Sequence, residues 1–314
     1  MDRTPADVRS RHEKALSEVV GFILLLGIVV AAFALWSVYI VPANGREAEI
    51  TQMNAVQDRF TDYKIALDSL WINNQTSLTV STSINLGTGG GNTEAGGFFL
   101  PLLNPIASPA VILVNNTGDS MWVNTSTNPA GSVIQLNTLE YQSQNNYWIQ
   151  QRYYYQTGGV FLSQPDGVIY RVSPPFSFNA ATSSGTPFAL VKLEPIQIIG
   201  GSTIGGNGPV RIDSYLRTPA NPVTLQQNSW VNISVNVTGN ATAQMWMGLF
   251  NDTAARGGMP NGPPWYTFNE MYNSGTGRGY AWINITGPST LPVLLSYQRA
   301  DFVVTLNNIA SGIT

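Results

Sequence analysis

The feature that most constrains this chain is an uninterrupted apolar run near its N-terminus. Residues 19–40, VVGFILLLGIVVAAFALWSVYI, contain no charged side chain. As an α-helix rising 1.5 Å per residue, the run would be about 33 Å long, which is enough to cross a hydrocarbon core about 30 Å thick. The run therefore predicts a membrane-embedded helix, with a short leader before it and an exported body after it.

Basic residues before the run predict its orientation. Arg3, Arg9, Arg11 and Lys14 precede it, and Lys and Arg beside a membrane helix favour the cytoplasmic side. The N-terminus is therefore expected in the cytoplasm and the body outside. The run is too long for a conventional secretory signal peptide, whose apolar region has about 7–15 residues.

The start of the run resembles a known processing signal. The residues KALSEVVG at positions 14–21, followed directly by the apolar run, are similar to the class III signal peptide of archaeal type IV pilins. The resemblance implies that a prepilin peptidase cuts between Ala15 and Leu16, so that residues 1–15 are a leader and the helix is retained. Glu18 would be the third residue of the mature chain, whereas bacterial pilins carry a glutamate at the fifth position and many archaeal pilins have proline where Glu18 stands.

Acidic and small residues at the start of the helix suggest how copies could associate. A carboxylate at the edge of an apolar helix is costly unless it is paired, and the α-amino group of a neighbouring subunit's Leu16 would pair with Glu18. Gly21 and Gly27 would let helices approach closely. The alternative is an uncleaved anchor, in which Glu18 reaches toward the membrane interface and the small residues have no role.

The helix is expected to continue beyond the membrane segment and to cover residues 16–72. Pro42 lacks a backbone donor and Gly45 favours a break, so the segment 42–45 predicts a kink or interruption. Apolar residues then recur at spacings of 3 and 4 and form a seam on one helix face. The seam consists of Met53, Val56, Phe60, Tyr63, Leu67 and Leu70. It would pack against the protein's own sheet, and the resemblance to pilins implies that it also packs against helices of other subunits.

Residues 76–314 have the pattern of strands joined by turns. Apolar segments alternate with glycine, proline and asparagine clusters. The strand candidates are residues 77–86, 109–115, 132–141, 159–164, 168–172, 187–199, 229–238, 241–249, 280–286 and 301–306. They predict a mainly antiparallel, β-sandwich-like extracellular body, and hence an α+β chain. Two β lobes are an alternative, with a boundary at the glycine-rich residues 200–208, and no internal repeat is evident.

A tyrosine-rich segment covers residues 139–164. If it is a strand, Tyr153 and Tyr155 share one face and Tyr154 lies on the other. Exposed aromatic rings beside Gln and Asn could stack on sugars, but strand aromatics more often pack within the sheet, and packing is the favoured interpretation.

Eight asparagines occur in Asn-X-Ser/Thr sequences, which are N-glycosylation acceptors in exported proteins. The candidates are Asn74, Asn115, Asn124, Asn232, Asn236, Asn240, Asn251 and Asn284.

Composition excludes several kinds of site. The chain has no cysteine, and its single histidine, His12, precedes the apolar run, so the body holds no Cys/His zinc site and no histidine-based triad. A net charge of −3 without a basic patch gives no reason to bind nucleic acid. The acidic residues of the body are scattered singly, and residues 200–206 lack the lysine of a phosphate-binding loop. No cofactor, metal or enzymatic activity is predicted.

The resemblance and the helix together predict a structural subunit of an archaeal type IV pilus-like surface filament. Its expected partners are other copies of itself, the prepilin peptidase with the assembly platform, and the membrane before assembly. The first alternative is a surface, S-layer-associated or adhesive protein that is membrane-anchored and does not polymerise. The second is an extracellular enzyme acting on glycans, for which two of the scattered carboxylates would have to meet in space.

Overall fold

A long N-terminal helical rod precedes a mainly β body. The computed structural model describes residues 5–88, 104–218, 225–288 and 293–308, with side chains from residue 19 onward. The rod consists of α1 (Pro5–Leu35), a π-helical turn (Trp36–Ile40) and α2 (Val41–Ile72). The predicted end of the helix, just before Asn73, is confirmed.

The rod is helical through the segment 42–45, so the interruption predicted there is wrong. The irregularity comes one turn earlier, where the backbone N–H of Val41 donates to the carbonyl of Trp36. Pro42 cannot donate to the carbonyl of Val38, and in a regular α-helix its ring would clash with that carbonyl. The wider π turn accommodates the proline without ending the helix.

The described residues of the body contain nineteen strands and one further helix, α3. In chain order the elements are β1 Thr79–Asn85, β2 Ala110–Asn115, β3 Ser120–Thr125, β4 Ser132–Gln135, β5 Thr138–Ser143, β6 Arg152–Gln156, β7 Gly159–Gln164, β8 Gly167–Val172, β9 Phe176–Ser183, β10 Thr186–Leu193, β11 Ile196–Ile199, β12 Thr203–Gly206, β13 Pro209–Leu216, β14 Leu225–Asn228, β15 Val231–Thr238, α3 Asn240–Arg256, β16 Tyr266–Asn273, β17 Arg278–Ile285, β18 Val293–Tyr297 and β19 Ala300–Asn308.

These strands form four sheets in a propeller-like arrangement, not a clear two-sheet sandwich. Sheet I has the order β1-β13-β19-β11, sheet II β12-β2-β5-β6-β7-β8, sheet III β16-β17-β15-β3-β4, and sheet IV β14-β18-β10-β9. All neighbouring strands are antiparallel except the pairs β10–β18 and β11–β19. A sandwich encloses one core between two sheets, whereas this body has two cores, each of which includes a helix.

Residues 241–249 were predicted to be a strand and are instead the first half of α3. The buried residues Ala243, Trp246, Leu249 and Phe250 recur at spacings of 3, 3 and 1. They place one helix face against β15, β16 and β17 of sheet III. The strand prediction failed because a short apolar run does not distinguish period 2 from period 3.6.

Sheet II lies between the two cores and contributes side chains to both. The α2 core contains the seam of α2 together with Tyr153 and Tyr155 of β6, whereas Tyr154 of the same strand belongs to the α3 core. Because both faces of sheet II are covered, residues 153–162 of β6 and β7 are buried at every position and not at every second one.

Two parallel strand pairs also join the cores. β10 pairs with β18, where Leu190 lies opposite Leu294, and β11 pairs with β19, where Ile196 lies opposite Ala300. The offset in sequence between the partners is the same in both pairs. The first pair contributes to the α3 core and the second to the α2 core. Both cores therefore draw residues from before and after the segment 200–208, which includes β12 and is not a boundary between them.

We expect the seam to contribute strongly to stability, because Phe60 is fully buried. Replacing Phe60 with Ala should lower the free energy of unfolding by about 3–5 kcal/mol, since a large core side chain is lost and a cavity remains. The measurement is urea unfolding of the full chain in detergent, followed by tryptophan fluorescence.

Ile65 is the matched control, because it lies on the same helix and is 61% exposed. Ile65→Ala should change stability by no more than about 0.5 kcal/mol. Equal losses in the two variants would show that the seam does not hold α2 to the body.

Candidate functional site

The first half of the rod presents an apolar surface that nothing in the described chain covers. No residue from 19 to 40 is buried, and Phe22 and Ile28 are 66% and 71% exposed. Among the described residues, one helix, Val19–Ile72, is long and apolar enough to cross a membrane. Since single-chain packing leaves this surface open, its burial requires a surrounding apolar medium or other helices.

The residues expected to mediate processing and assembly lie along this half of the rod. Ala15, Leu16 and Glu18 fall within the backbone of α1, but their side chains lie outside the described part of the chain. Gly21 and Gly27 are exposed, and a β-carbon at either would meet no atom within 4 Å. The fold of the single chain therefore does not require glycine at these two positions.

The second half of the rod is packed onto the body by its seam. All six seam residues are at most 5% exposed and lie in the α2 core. Tyr63 shares a hydrogen bond of 2.8 Å with Ser214 of β13 and meets the ring of Tyr155 edge-on at 5.3 Å between centroids. Burial raises the pKa of the Tyr63 hydroxyl. The seam is thus occupied by the protein's own sheets, and contacts of α2 with other subunits would have to use its other faces.

A buried carboxylate fixes the start of α2 to the body. Glu49 is 1% exposed, and its carboxylate accepts hydrogen bonds from the hydroxyl of Ser108 and from the backbone N–H groups of Asn146 (2.6 Å) and Tyr147 (3.0 Å). A carboxylate is tolerated in such a place only when several donors satisfy it. These bonds tie α2 to the loop between β5 and β6.

Two neighbours of Glu49 bring the same loop close to the helix. A β-carbon at Gly45 would overlap the ring of Tyr147, so the glycine allows helix and loop to approach closely. The guanidinium of Arg46 lies 4.1 Å from the ring centre of Trp148, within the range of a cation–π contact. Gly45 was predicted to break the helix, but its role is to make room for Tyr147.

The tyrosine-rich segment is interior. Tyr153, Tyr154 and Tyr155 are each at most 3% exposed, and the alternation predicted for their faces is confirmed. Burial raises the pKa of all three hydroxyls, although Arg171 opposes the effect at Tyr153 and Arg152 at Tyr154. Stacking of these rings on sugars is therefore excluded in the folded chain.

The sequon asparagines differ in exposure. Asn74 and Asn240 are exposed, and the other six are half-buried: Asn115, Asn124, Asn232, Asn236, Asn251 and Asn284. Asn236 accepts a hydrogen bond from Arg278 at 2.9 Å, and Asn251 accepts one from Tyr266 at 3.0 Å. Asn74 and Asn240 are therefore the most accessible acceptors in the folded body.

Two of the scattered carboxylates, Asp119 and Glu140, line one polar cavity of about 270 Å³, together with residues of sheet II, Thr238 of β15 and Thr242 of α3. Asp119 pairs with Arg278 at 2.8 Å, and Glu140 pairs with Arg152 at 3.5 Å. Glu140 also accepts a hydrogen bond of 2.6 Å from Thr138. Because structural contacts engage both carboxylates, the cavity gives no specific support for the glycan-active enzyme.

The described residues hold no group of three or more His, Cys, Asp or Glu side chains placed to bind a metal ion. Comparison of the chain with family models, curated proteins and solved structures finds no match. The structure by itself defines a coarse class: a mainly β body carried on one long apolar N-terminal helix that could anchor it in a membrane.

We expect Glu49→Ala to loosen the attachment of α2. The substitution leaves the donors of Ser108, Asn146 and Tyr147 without their acceptor, and each unsatisfied buried group costs about 1–3 kcal/mol. Hydrogen exchange of the full chain should show faster exchange at the amides of Asn146 and Tyr147. Glu47→Ala, at an exposed position two residues away, should leave their exchange unchanged, and unchanged exchange in both variants would contradict the role of Glu49.

The exposed apolar half should hold the chain in membranes. The double substitution Ile28→Arg and Ala32→Arg should cost about 5–7 kcal/mol of insertion free energy and shift the protein out of the carbonate-resistant membrane fraction. The matched control, Ile65→Arg with Ile72→Arg, adds the same charges at exposed positions outside the apolar run and should stay in that fraction. Equal fractionation of the two double variants would contradict membrane insertion of residues 19–40.

Proposed function

We propose that this chain is a structural subunit of a type IV pilin-like surface filament, of the kind that archaea build. A prepilin peptidase removes residues 1–15, and the assembly platform adds the mature chain to other copies of itself. The observation that carries the proposal is the uncovered apolar half of one continuous rod. Residues 19–40 are apolar, and nothing in the described chain buries them.

The proposed mechanism is assembly and not catalysis. Before assembly, the helix lies in the membrane with its N-terminus cytoplasmic and its body outside. In the filament, the same apolar surface is buried against neighbouring helices, where apolar burial contributes about 25 cal/mol per Å². Gly21 and Gly27 allow the helices to approach, and Glu18 pairs with the α-amino group of the neighbouring Leu16.

A surface or S-layer-associated protein that is anchored but does not polymerise is the second candidate. The burial of the seam favours this candidate, because six apolar residues that could have packed against other subunits are packed within the chain's own core. The two candidates differ in whether the helix leaves the membrane, and hence in whether filaments containing this chain can be sheared from cells.

The mature N-terminus decides between the proposal and an uncleaved anchor. Mass spectrometry of sheared filaments from the native cells should find Leu16 as the first residue. Electron microscopy of the same preparation should show the filaments. An N-terminus at Met1 or Asp2, found in the membrane fraction, would overturn processing, and a Leu16 start without filaments would favour the non-polymerising anchor.

Glu18→Ala tests the pairing within the filament. We expect processing to continue and the number of filaments to fall, because the amino group of Leu16 loses its partner in an apolar surrounding. Glu47→Ala, which removes an exposed carboxylate from the same rod, should assemble normally. Normal assembly of both variants would remove the pairing from the proposal and leave the rest of it standing.

A further inference from the structure

A short pattern occurs three times in the body and is not explained by assembly. Trp-(Val/Ile)-Asn stands at residues 122–124, 230–232 and 282–284, each time with Ser or Thr two residues after the asparagine. These asparagines are three of the predicted N-glycosylation acceptors. The tryptophan two residues before each of them is a recurring feature that the expectation of no internal repeat overlooked.

The structure aligns the three copies on neighbouring strands of sheet III. Asn232 of β15 lies directly opposite Asn284 of β17 on one side and Asn124 of β3 on the other. The residue before each asparagine, namely Val123, Val231 or Ile283, is buried in the α3 core. Because side chains alternate along a strand, the three asparagines form a row on the outer face of the sheet.

The tryptophans lie on the same outer face, on both sides of this row. Trp122 and Trp282 lie opposite Ser234 in the adjacent row. Trp230 directly precedes β15, on the other side of the asparagine row, and its carbonyl accepts a hydrogen bond of 3.2 Å from the backbone N–H of Ser126, which continues the pairing of β15 with β3. Trp122 and Trp282 are two strands apart, or roughly 10 Å. All three tryptophans are half-buried, whereas Ser234 is 3% exposed. We call this surface, made of three tryptophans and three asparagines, the Trp–Asn face.

The amides of the Trp–Asn face are available for binding. Asn124 donates a hydrogen bond of 2.9 Å to the carbonyl of Pro129. Within the described chain, Asn232 and Asn284 make no side-chain hydrogen bond, and their amides are not among the buried polar groups that lack a partner. They therefore face solvent as pairs of donors and acceptors.

The Trp–Asn face is also neutral. Arg278 is the charged residue on the outer face of the described part of sheet III, and it lies at the opposite end of the sheet from the asparagine row. Its guanidinium is engaged by Asp119 at 2.8 Å and Asn236 at 2.9 Å. Flat aromatic surfaces with amide donors and acceptors, but no charge, complement a ligand that has apolar C–H faces and many hydroxyls. They do not complement a phosphate or an acidic peptide, which would require cationic groups.

We propose that the Trp–Asn face binds a neutral saccharide presented by another surface. Sugar rings stack on Trp122 and Trp282, and Asn232 and Asn284 bond their hydroxyls. A glycan attached to one of these asparagines would cover the same face. The proposal therefore requires Asn232 and Asn284 to carry no glycan. The proposal does not depend on filament assembly.

The test uses the full chain in detergent, produced in a host that does not attach N-glycans. Trimers of glucose, mannose, galactose and N-acetylglucosamine are titrated, with isothermal calorimetry and tryptophan fluorescence as readouts. We expect saturable binding of at least one trimer. Trp282→Ala should weaken it roughly tenfold, the effect of losing about 1.4 kcal/mol of stacking.

Two further variants separate binding from folding. Asn232→Ala removes an amide without leaving a protein partner unsatisfied, so it should weaken binding while the far-ultraviolet circular dichroism stays unchanged. Tyr215→Ala is the matched control, because Tyr215 is an exposed aromatic residue of sheet I, away from the Trp–Asn face. It should bind as the unaltered chain does.

Four results would overturn the proposal. The first is no saturable binding of any of the four trimers, and the second is an equal loss in Tyr215→Ala and Trp282→Ala. The third is glycopeptide mass spectrometry of the native protein that finds a sugar attached to Asn232 or Asn284, which would make the chain's own glycan the occupant. The fourth is self-association that Trp282→Ala abolishes, which would make a second copy the occupant.

Discussion

The rest of the structure depends on how one helix is held at its midpoint, and the central interaction there is the buried carboxylate of Glu49. It accepts hydrogen bonds from Ser108, Asn146 and Tyr147 at the start of α2, just past the uncovered apolar half of the rod. The helix is continuous through Pro42. These hydrogen bonds and the seam therefore fix the position of the body relative to residues 19–40, and hence relative to the membrane or the helices that surround those residues. A hinge at Pro42 would have separated the two halves; the π turn keeps them one element.

The body extends this attachment through shared strands. Sheet II gives one face to the α2 core and the other to the α3 core, and the parallel pairs β10–β18 and β11–β19 contribute to both. Protein interiors are closely packed and contain few voids, so a displacement of one element is transmitted to the elements packed against it. The outer face of sheet III, with its three tryptophans, is therefore linked to the helix through two packed cores and not through a flexible connection.

Local patterns predicted the elements whose neighbours along the chain decide their structure. The 3 and 4 spacing from Met53 to Leu70 predicted the buried face of α2, and the apolar segments 159–164 and 168–172 predicted β7 and β8. Local patterns gave wrong predictions where contacts with residues distant in sequence determine the structure. Gly45 was predicted to break the helix, but it is glycine because the ring of Tyr147 packs against it. Residues 241–249 are helical because their buried face packs on sheet III.

The sequence by itself determined that an uncharged run of membrane-spanning length lies at residues 19–40, that the body lacks cysteine and histidine, and that strands dominate after residue 76. Only the tertiary structure decided that the seam is consumed by the chain's own core, that the clustered tyrosines are interior, and that Asn124, Asn232 and Asn284 form one row. Run length and residue type are local properties, readable along the chain. Strand register between segments more than 50 residues apart depends on which faces are buried together, and no local pattern contains that information.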